Sequence, residues 1–359
     1  MTATIELACD ESAAVISPIG ASLVRFSVGD RPVVVPMNAF DGAVLAPWPN
    51  RIDGGRYDFG GDSHRLPITE PERDTALHGL VADVPWSVVE RTESTVSLEY
   101  TLEPTEGYPF AFDLQVDFEL AEAELRMRAR ALNTGSAPAP FGFGFHPWLS
   151  PGTAPSGTTD PVNGALVDEA QLVIPAARWH ETDARLIPTV VRPFDDGTAV
   201  PADHASDDSA CMVCKDFRAL RLIGGTILDD AYGSPRRGDD GWSRARLKGA
   251  DLREVVVGMG PGFRTWQACT GDALDEDLAR RAIAIEPMTC PPNAFATGEA
   301  GEDFDVVAPG DELVVEWSIA LTAIDDGNAD SASSVSDNAP ADSEEASSDP
   351  ADASADSDA

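Results

Sequence analysis

The chain has 359 residues, 43% of them hydrophobic, with 62 Asp and Glu against 25 Lys and Arg and a formal charge of −37 at pH 7. That balance excludes binding to nucleic acid or to an anionic membrane through bulk charge, because phosphate contacts need a basic face. The apolar content is enough for one large core or two ordinary ones, no apolar run reaches the roughly 18 residues of a membrane span, and the first ten residues carry acids where a secretion signal has a basic region. The cytoplasm is the expected compartment.

Period-two alternation dominates the pattern along the chain. A first short strand is expected at 94–102. Phe112, Leu114, Val116, Phe118 and Leu120 then alternate with Asp113, Gln115, Asp117 and Glu119, and the pattern resumes at Leu125, Met127, Ala129 and Ala131. This is the signature of an antiparallel hairpin with one buried face. Further strands are expected at 190–194, 219–223, 253–259, 282–286 and 312–321, with one short amphipathic helix at 273–281. Strands at this density, punctuated by 30 glycines and 28 prolines, predict an all-β chain: a single large antiparallel β-sandwich over residues 1–324. Residues 325–359 hold 11 acids, no base and no aromatic, too little apolar surface to offset the entropy of ordering, so an acidic disordered tail is expected.

Without the tail the charge is still −26, and only Lys215 and Lys248 are lysines among the 25 basic residues. This composition resembles that of proteins from salt-accumulating halophiles, whose like charges are screened when the Debye length falls to about 3 Å in molar salt. Five cysteines scattered over a chain with no secretion signal do not form a disulfide framework. Cys211-Met-Val-Cys214 has the spacing of half a zinc site, but no second pair follows and His204 is the one further ligand nearby. A plain reduced pair, with no metal, is the expectation.

Four patches set titratable residues among glycines, prolines and aromatics. They are Ala46-Pro-Trp-Pro-Asn-Arg-Ile-Asp-Gly-Gly-Arg-Tyr57, Ala76-Leu-His-Gly79, Gly142-Phe-Gly-Phe-His-Pro-Trp148 together with Leu228-Asp-Asp-Ala-Tyr232, and Ile283-Ala-Ile-Glu-Pro-Met-Thr-Cys-Pro-Pro-Asn-Ala294. Singly, each has an ordinary reading: His146 as a core histidine bonded to a carbonyl, Arg51 as an ion-pair partner, Asp229 and Asp230 as turn residues. Glu286 resists it, since a carboxylate ending an apolar strand before Pro287 is costly to bury unless paired or functional.

Together, and in this order, Asn50-Arg51-Ile52, Gly55-Arg56-Tyr57, Leu77-His78-Gly79, Gly144-Phe145-His146-Pro147-Trp148, Leu228-Asp229-Asp230-Ala231-Tyr232, Gln267 to Asp272 and Ile285-Glu286-Pro287 resemble the aldose 1-epimerase (galactose mutarotase) family, over roughly residues 15 to 322 and in forms closest to its prokaryotic branch. The resemblance implies a supersandwich fold and an isomerase of sugar anomers. It makes Glu286 the general base and His146 the general acid, with Arg51, His78 and Asp229 on sugar hydroxyls and Asn50 and Gln267 beside them. It implies no metal or organic cofactor, a small-molecule sugar as the partner, and a monomer or homodimer. Where many members have His-x-Tyr-Phe-Asn-Leu this chain has His146-Pro147-Trp148-Leu149, Cys269 replaces a common Tyr, and the stretch 68–74 is charged instead of Asn-rich. These departures bear on the sugar: a hexose 6-phosphate or sulfosugar would need an anion pocket, for which Arg51, Arg56 and Arg264 are candidates. A non-catalytic sugar-binding protein is the reading from another class, and the pairing of His146 with Glu286 argues against it.

Overall fold

The computed structural model describes residues 3–152, 167–194 and 212–323. Two antiparallel sheets carry the fold, one of twelve strands and one of nine. The hairpin read from the alternation is present as Phe112–Leu120 paired with Glu124–Asn133, Phe118 opposite Met127 and Val116 opposite Ala129. Its inward residues are buried and its outward ones exposed or half-buried, as expected of strands with one face on a core. Thr95–Leu102 flanks it on one side and Glu312–Ala323 on the other, followed by Arg253–Met259 and Ser243–Lys248.

The larger sheet runs from Ile5–Cys9 through Ser12–Ser17, Ser22–Val28 and Arg31–Val34 to Trp148–Leu149, then Ile283–Met288, Thr265–Cys269, Asp229–Pro235, Ala176–Thr182 and the edge strand Pro188–Pro193. Its inner face supplies Phe26, Trp266, Ile283 and Ile285 to one hydrophobic core shared with Phe118, Met127, Val257 and Trp317 of the smaller sheet. Trp317 packs against Phe143 and Phe145 at ring distances of 5.2 and 5.1 Å, and the Trp266 indole donates across the sandwich to Ser243 Oγ. Each such large side chain stabilises the fold by about 1.5–3 kcal/mol on burial.

Three expectations need correction. Residues 273–281 form turns and no helix. Leu274 and Leu278 do bury against Trp148 and Ala284, but one helical turn is costly to nucleate, and Arg280 leaves helical geometry at φ +58° to bond Asp168, Asp272 and the Gly224 carbonyl. The strand expected at 219–223 shrinks to Arg221–Leu222. The strand expected to stop at Glu286 continues through Pro287 to Met288. His204, Cys211 and the acidic tail lie outside the described residues. No helix among the described residues is long and apolar enough to cross a membrane.

Candidate active site

Strand register assembles one wall of a cleft. Gln267 lies opposite Glu286, and Asp229 opposite Cys269. Because side chains alternate across a sheet, Asp229, Gln267, Cys269 and Glu286 stand on the outer face of the larger sheet while Trp266, Ala268 and Ile285 enter the core. Ile283–Met288 is buried along its whole length, so its carboxylate has no route to bulk water except the cleft.

The opposite wall comes from two tight turns that lock each other. Asn50 and His78 both take left-handed backbone, φ +58° and +59°. The His78 amide donates to the Asn50 carbonyl at 2.9 Å, and the Asn50 amide donates to His78 Nδ1 at 3.2 Å. Gly79 follows at φ +76°, where a Cβ would sit 2.1 Å from the Ala46 carbonyl oxygen, so Leu-His-Gly admits only glycine at its end. Asn50 Oδ1 turns back to the Arg51 amide at 2.9 Å. Asn293 pins the same strand, its amide on the Arg51 carbonyl at 2.7 Å and its Oδ1 on the Asp53 amide at 2.9 Å. The Pro-Pro-Asn-Ala patch is therefore a staple for the arginine.

His146 follows the short strand Gly144–Phe145, its backbone clamped by Gly42 and Ala43. A Cβ on Gly144 would meet Pro49 at 2.6 Å, which is why the histidine loop and the Asn50 loop can pack so closely. His146 Nε2 lies 3.4 Å from Glu286 Oε1, with both side chains almost fully buried. His146 Nδ1, Glu286 Oε2 and Gln267 Oε1 are buried without a protein partner, and buried polar atoms of that kind ask for a ligand.

Arg51, His78, His146, Asp229, Gln267 and Glu286 line a cleft of about 530 Å³ together with Asn50, Phe40, Trp148, Cys269 and Leu274. All seven residues singled out in the sequence meet here. Arg51 is held bidentately by Glu70, at 2.8 and 3.0 Å, and reaches toward Asp229 at 3.7 Å. Asp229 accepts from Gln267 Nε2 at 2.7 Å. Asp230 points the other way, into the molecule, where Trp179 and Lys215 hold it. Of the arginines proposed for an anion pocket, Arg264 is held by Asp305 and the Thr289 carbonyl, Arg56 is exposed on a separate hairpin, and neither lines the cleft.

Sequence reading missed Glu70, which orients Arg51, and Phe40. Phe40 covers the His78 ring at 4.5 Å with 41% of its surface exposed. It is presented by a turn in which the Asp41 carboxylate accepts from the amides of Met37, Asn38 and Ala39.

Burial dominates the electrostatics. It pushes Glu286 well above the usual carboxylate range, with Asp229 adding to the rise and Arg51 opposing it. The same burial lowers His146 to about 4, opposed by a backbone hydrogen bond and aided by Arg51, and lowers His78 well below the usual histidine value, helped by His146 and Arg51. Asp229 is raised by burial and by Asp230, and lowered by Arg51 and Gln267. The donor atoms of His78, His146 and Glu286 lie within 4.8 Å of one another, a set of the type that binds zinc. The fit fails at His78: its Nδ1 accepts from Asn50, so Nε2 bears the ring proton and is a donor, not a ligand.

An acid and a base in contact, among donors and acceptors spaced for hydroxyls, suit proton shuttling on a small polyol. A profile described as aldose 1-epimerase matches residues 3–318. The chain is 30% identical over 303 residues to Escherichia coli K12 protein YihR, covering 82% of this chain and 86% of the relative. Among solved structures, it is similar to a galactose mutarotase-like protein from Clostridium acetobutylicum at 15% identity and TM-score 0.72, over 89% of this chain and 95% of that one. It is equally similar in shape to a GalM/aldose epimerase homologue from C. elegans, at 17% identity and TM-score 0.72 over 90% and 100%.

Proposed function

The chain belongs to the aldose 1-epimerase family and is an isomerase, and on that premise we propose that it interconverts the α and β anomers of a free, uncharged aldose with Glu286 as base and His146 as acid. The contact between His146 Nε2 and Glu286 Oε1 at 3.4 Å carries this reading. Glu286 takes the proton of the C1 hydroxyl while His146 gives one to the ring oxygen. The bond from C1 to the ring oxygen breaks, the open aldehyde rotates about C1–C2, and the reverse transfers close the ring on its other face. One proton serves both partners. In the empty cleft burial disfavours the charged form of both groups, and sugar hydroxyls that donate to the carboxylate favour a carboxylate facing a protonated His146.

Arg51, His78, Asp229, Gln267 and Asn50 are assigned to holding and orienting the sugar, His78 as an Nε2–H donor and Asp229 as an acceptor. An uncharged aldose is favoured over a phosphorylated or sulfonated one because Arg51, the single cation in the lining among the described residues, is already matched by Glu70, whereas Asp229 and Glu286 bring acid to the same surface. Phe40 gives the cleft an apolar lip suited to sugar C–H faces. The composition supports a salt-adapted cytoplasmic enzyme, and residues 1–324 are taken to suffice for activity.

The test is anomer-resolved NMR with glucose, galactose, glucose 6-phosphate and a sulfosugar in molar KCl. Glu286→Gln and His146→Asn are each expected to lower the rate by about two to four orders of magnitude while retaining near-UV circular dichroism. Wild-type turnover by either folded variant would overturn the assignment.

A further inference from the structure

Of 25 basic residues only two are lysines, and one of them, Lys215, is buried on the inner side of the larger sheet, behind the cleft. Its ammonium donates to Asp230 Oδ2 at 2.7 Å and to the Ile227 carbonyl at 2.6 Å. Asp230 Oδ1 accepts from the Trp179 indole at 2.7 Å. Asp230 Oδ2 also accepts the backbone N–H of Asp229 at 3.1 Å, so the carboxylate is fully engaged by groups that never face the sugar.

We infer that Lys215, Asp230 and Trp179 form a positioning unit that fixes the backbone of Asp229, and so aims its carboxylate into the cleft. The inference rests on the reading of Asp229 as a sugar-binding residue. Asp229 is the first residue of its strand, where the ladder alone holds the chain least. Ahead of it, the Leu228 amide donates to Thr270 Oγ1 at 2.9 Å and the Leu228 carbonyl accepts from the Thr270 amide at 2.9 Å. Behind it, Asp230 grips the Asp229 amide. With both neighbours fixed, the side chain between them projects from the opposite face toward Gln267 and Arg51.

The choice of cation follows from space and charge. The ammonium is compact enough to bridge Ile227 and Asp230, which the planar guanidinium fork used almost everywhere else in this chain does not match. A buried ion pair is a poor stabiliser in itself, so its value here lies in geometry.

Two readouts separate positioning from general stability in the full-length protein. Lys215→Met and Trp179→Phe are compared with wild type for kcat and KM on the aldose that wild type turns over, and for hydrogen exchange of the Asp229 amide by NMR. For Lys215→Met the expected result is a KM raised about tenfold, kcat within about threefold, and Asp229 exchange accelerated at least tenfold. Trp179→Phe should move KM and exchange in the same sense by about threefold, and it decides the matter should Lys215→Met not fold. Lys215→Arg is expected not to restore the wild-type KM. Folded variants with wild-type KM and wild-type exchange at Asp229 would overturn the inference. If wild type accelerates mutarotation of no aldose, the functional reading falls, and the exchange rates still decide whether this unit holds Asp229.

Discussion

At Glu286 and His146 burial acts on two groups of opposite charge type and moves them in opposite directions, up for the carboxyl and down to about 4 for the imidazole. Both shifts favour the uncharged form of each group, a carboxyl and a neutral imidazole. Lowering the pH below about 4 adds a second proton to the imidazole, leaving two acids and no base. The acid limb of kcat/KM is accordingly expected near pH 4, well below the ordinary histidine value of about 6.5, measured in molar KCl after brief exposure. A limb centred near 6.5 would mean that the imidazole is charged in the free enzyme. His146 and His180, the latter also lowered to about 4 by burial, bind fewer protons folded than unfolded between about 6.5 and 4. Their contribution to stability is lost as pH falls through that window, while Glu286 and Asp229, raised by burial, contribute in the opposite sense, so circular dichroism must accompany the kinetics.

At the scale of the element, the active cleft depends on turns whose backbone most residues cannot adopt. Gly79→Ala would force a side chain onto left-handed backbone and into the Ala46 carbonyl, unlatching His78 from Asn50. An expected loss of about 2–4 kcal/mol, read as a lower unfolding midpoint, checks this, and an unchanged midpoint would show that the turn relaxes freely. These turns also mark what was legible in the sequence. Leu-His-Gly, Ala-Pro-Trp-Pro-Asn-Arg-Ile and Ile-Glu-Pro could be read because glycine, proline and a buried acid leave few conformations to choose from. The strand Arg253–Met259 and the hairpin at 112–133 could be read because one buried face writes period two into the sequence. Glu70, Phe40 and Lys215 could not, because their roles come from partners distant in sequence or from a turn whose direction no local pattern states. The turns at 273–281 defeated helical periodicity because Arg280 finds its hydrogen bonds in other segments. That Asp229 and not Asp230 meets the cleft follows from which face of the strand looks outward, which the sheet's packing sets.

Over the whole molecule, the charge sets a condition that no single contact supplies. With −26 remaining after the terminal 35 residues are set aside, lowering KCl from molar to about 0.1 M lengthens the Debye range from about 3 Å to about 10 Å. The outward faces show how the surface is partly relieved: Arg126, Arg128 and Arg130 alternate along one strand and meet Glu124, Glu316 and Glu312. Exposed pairs of this kind contribute little individually, a median of about 0–1 kcal/mol, and 25 cations cannot match 62 acids. Native stability is only about 5–15 kcal/mol, so many small repulsions released together consume much of it. Activity loss on dilution into 0.1 M KCl is therefore expected to coincide with loss of near-UV circular dichroism. A sugar that binds only the native state should delay both by mass action, by roughly 2.7 kcal/mol at a hundredfold excess over its Kd. Loss of activity with the dichroism intact would locate the salt requirement in the cleft, and an unchanged unfolding midpoint at low salt would show that the acidic surface serves solubility alone.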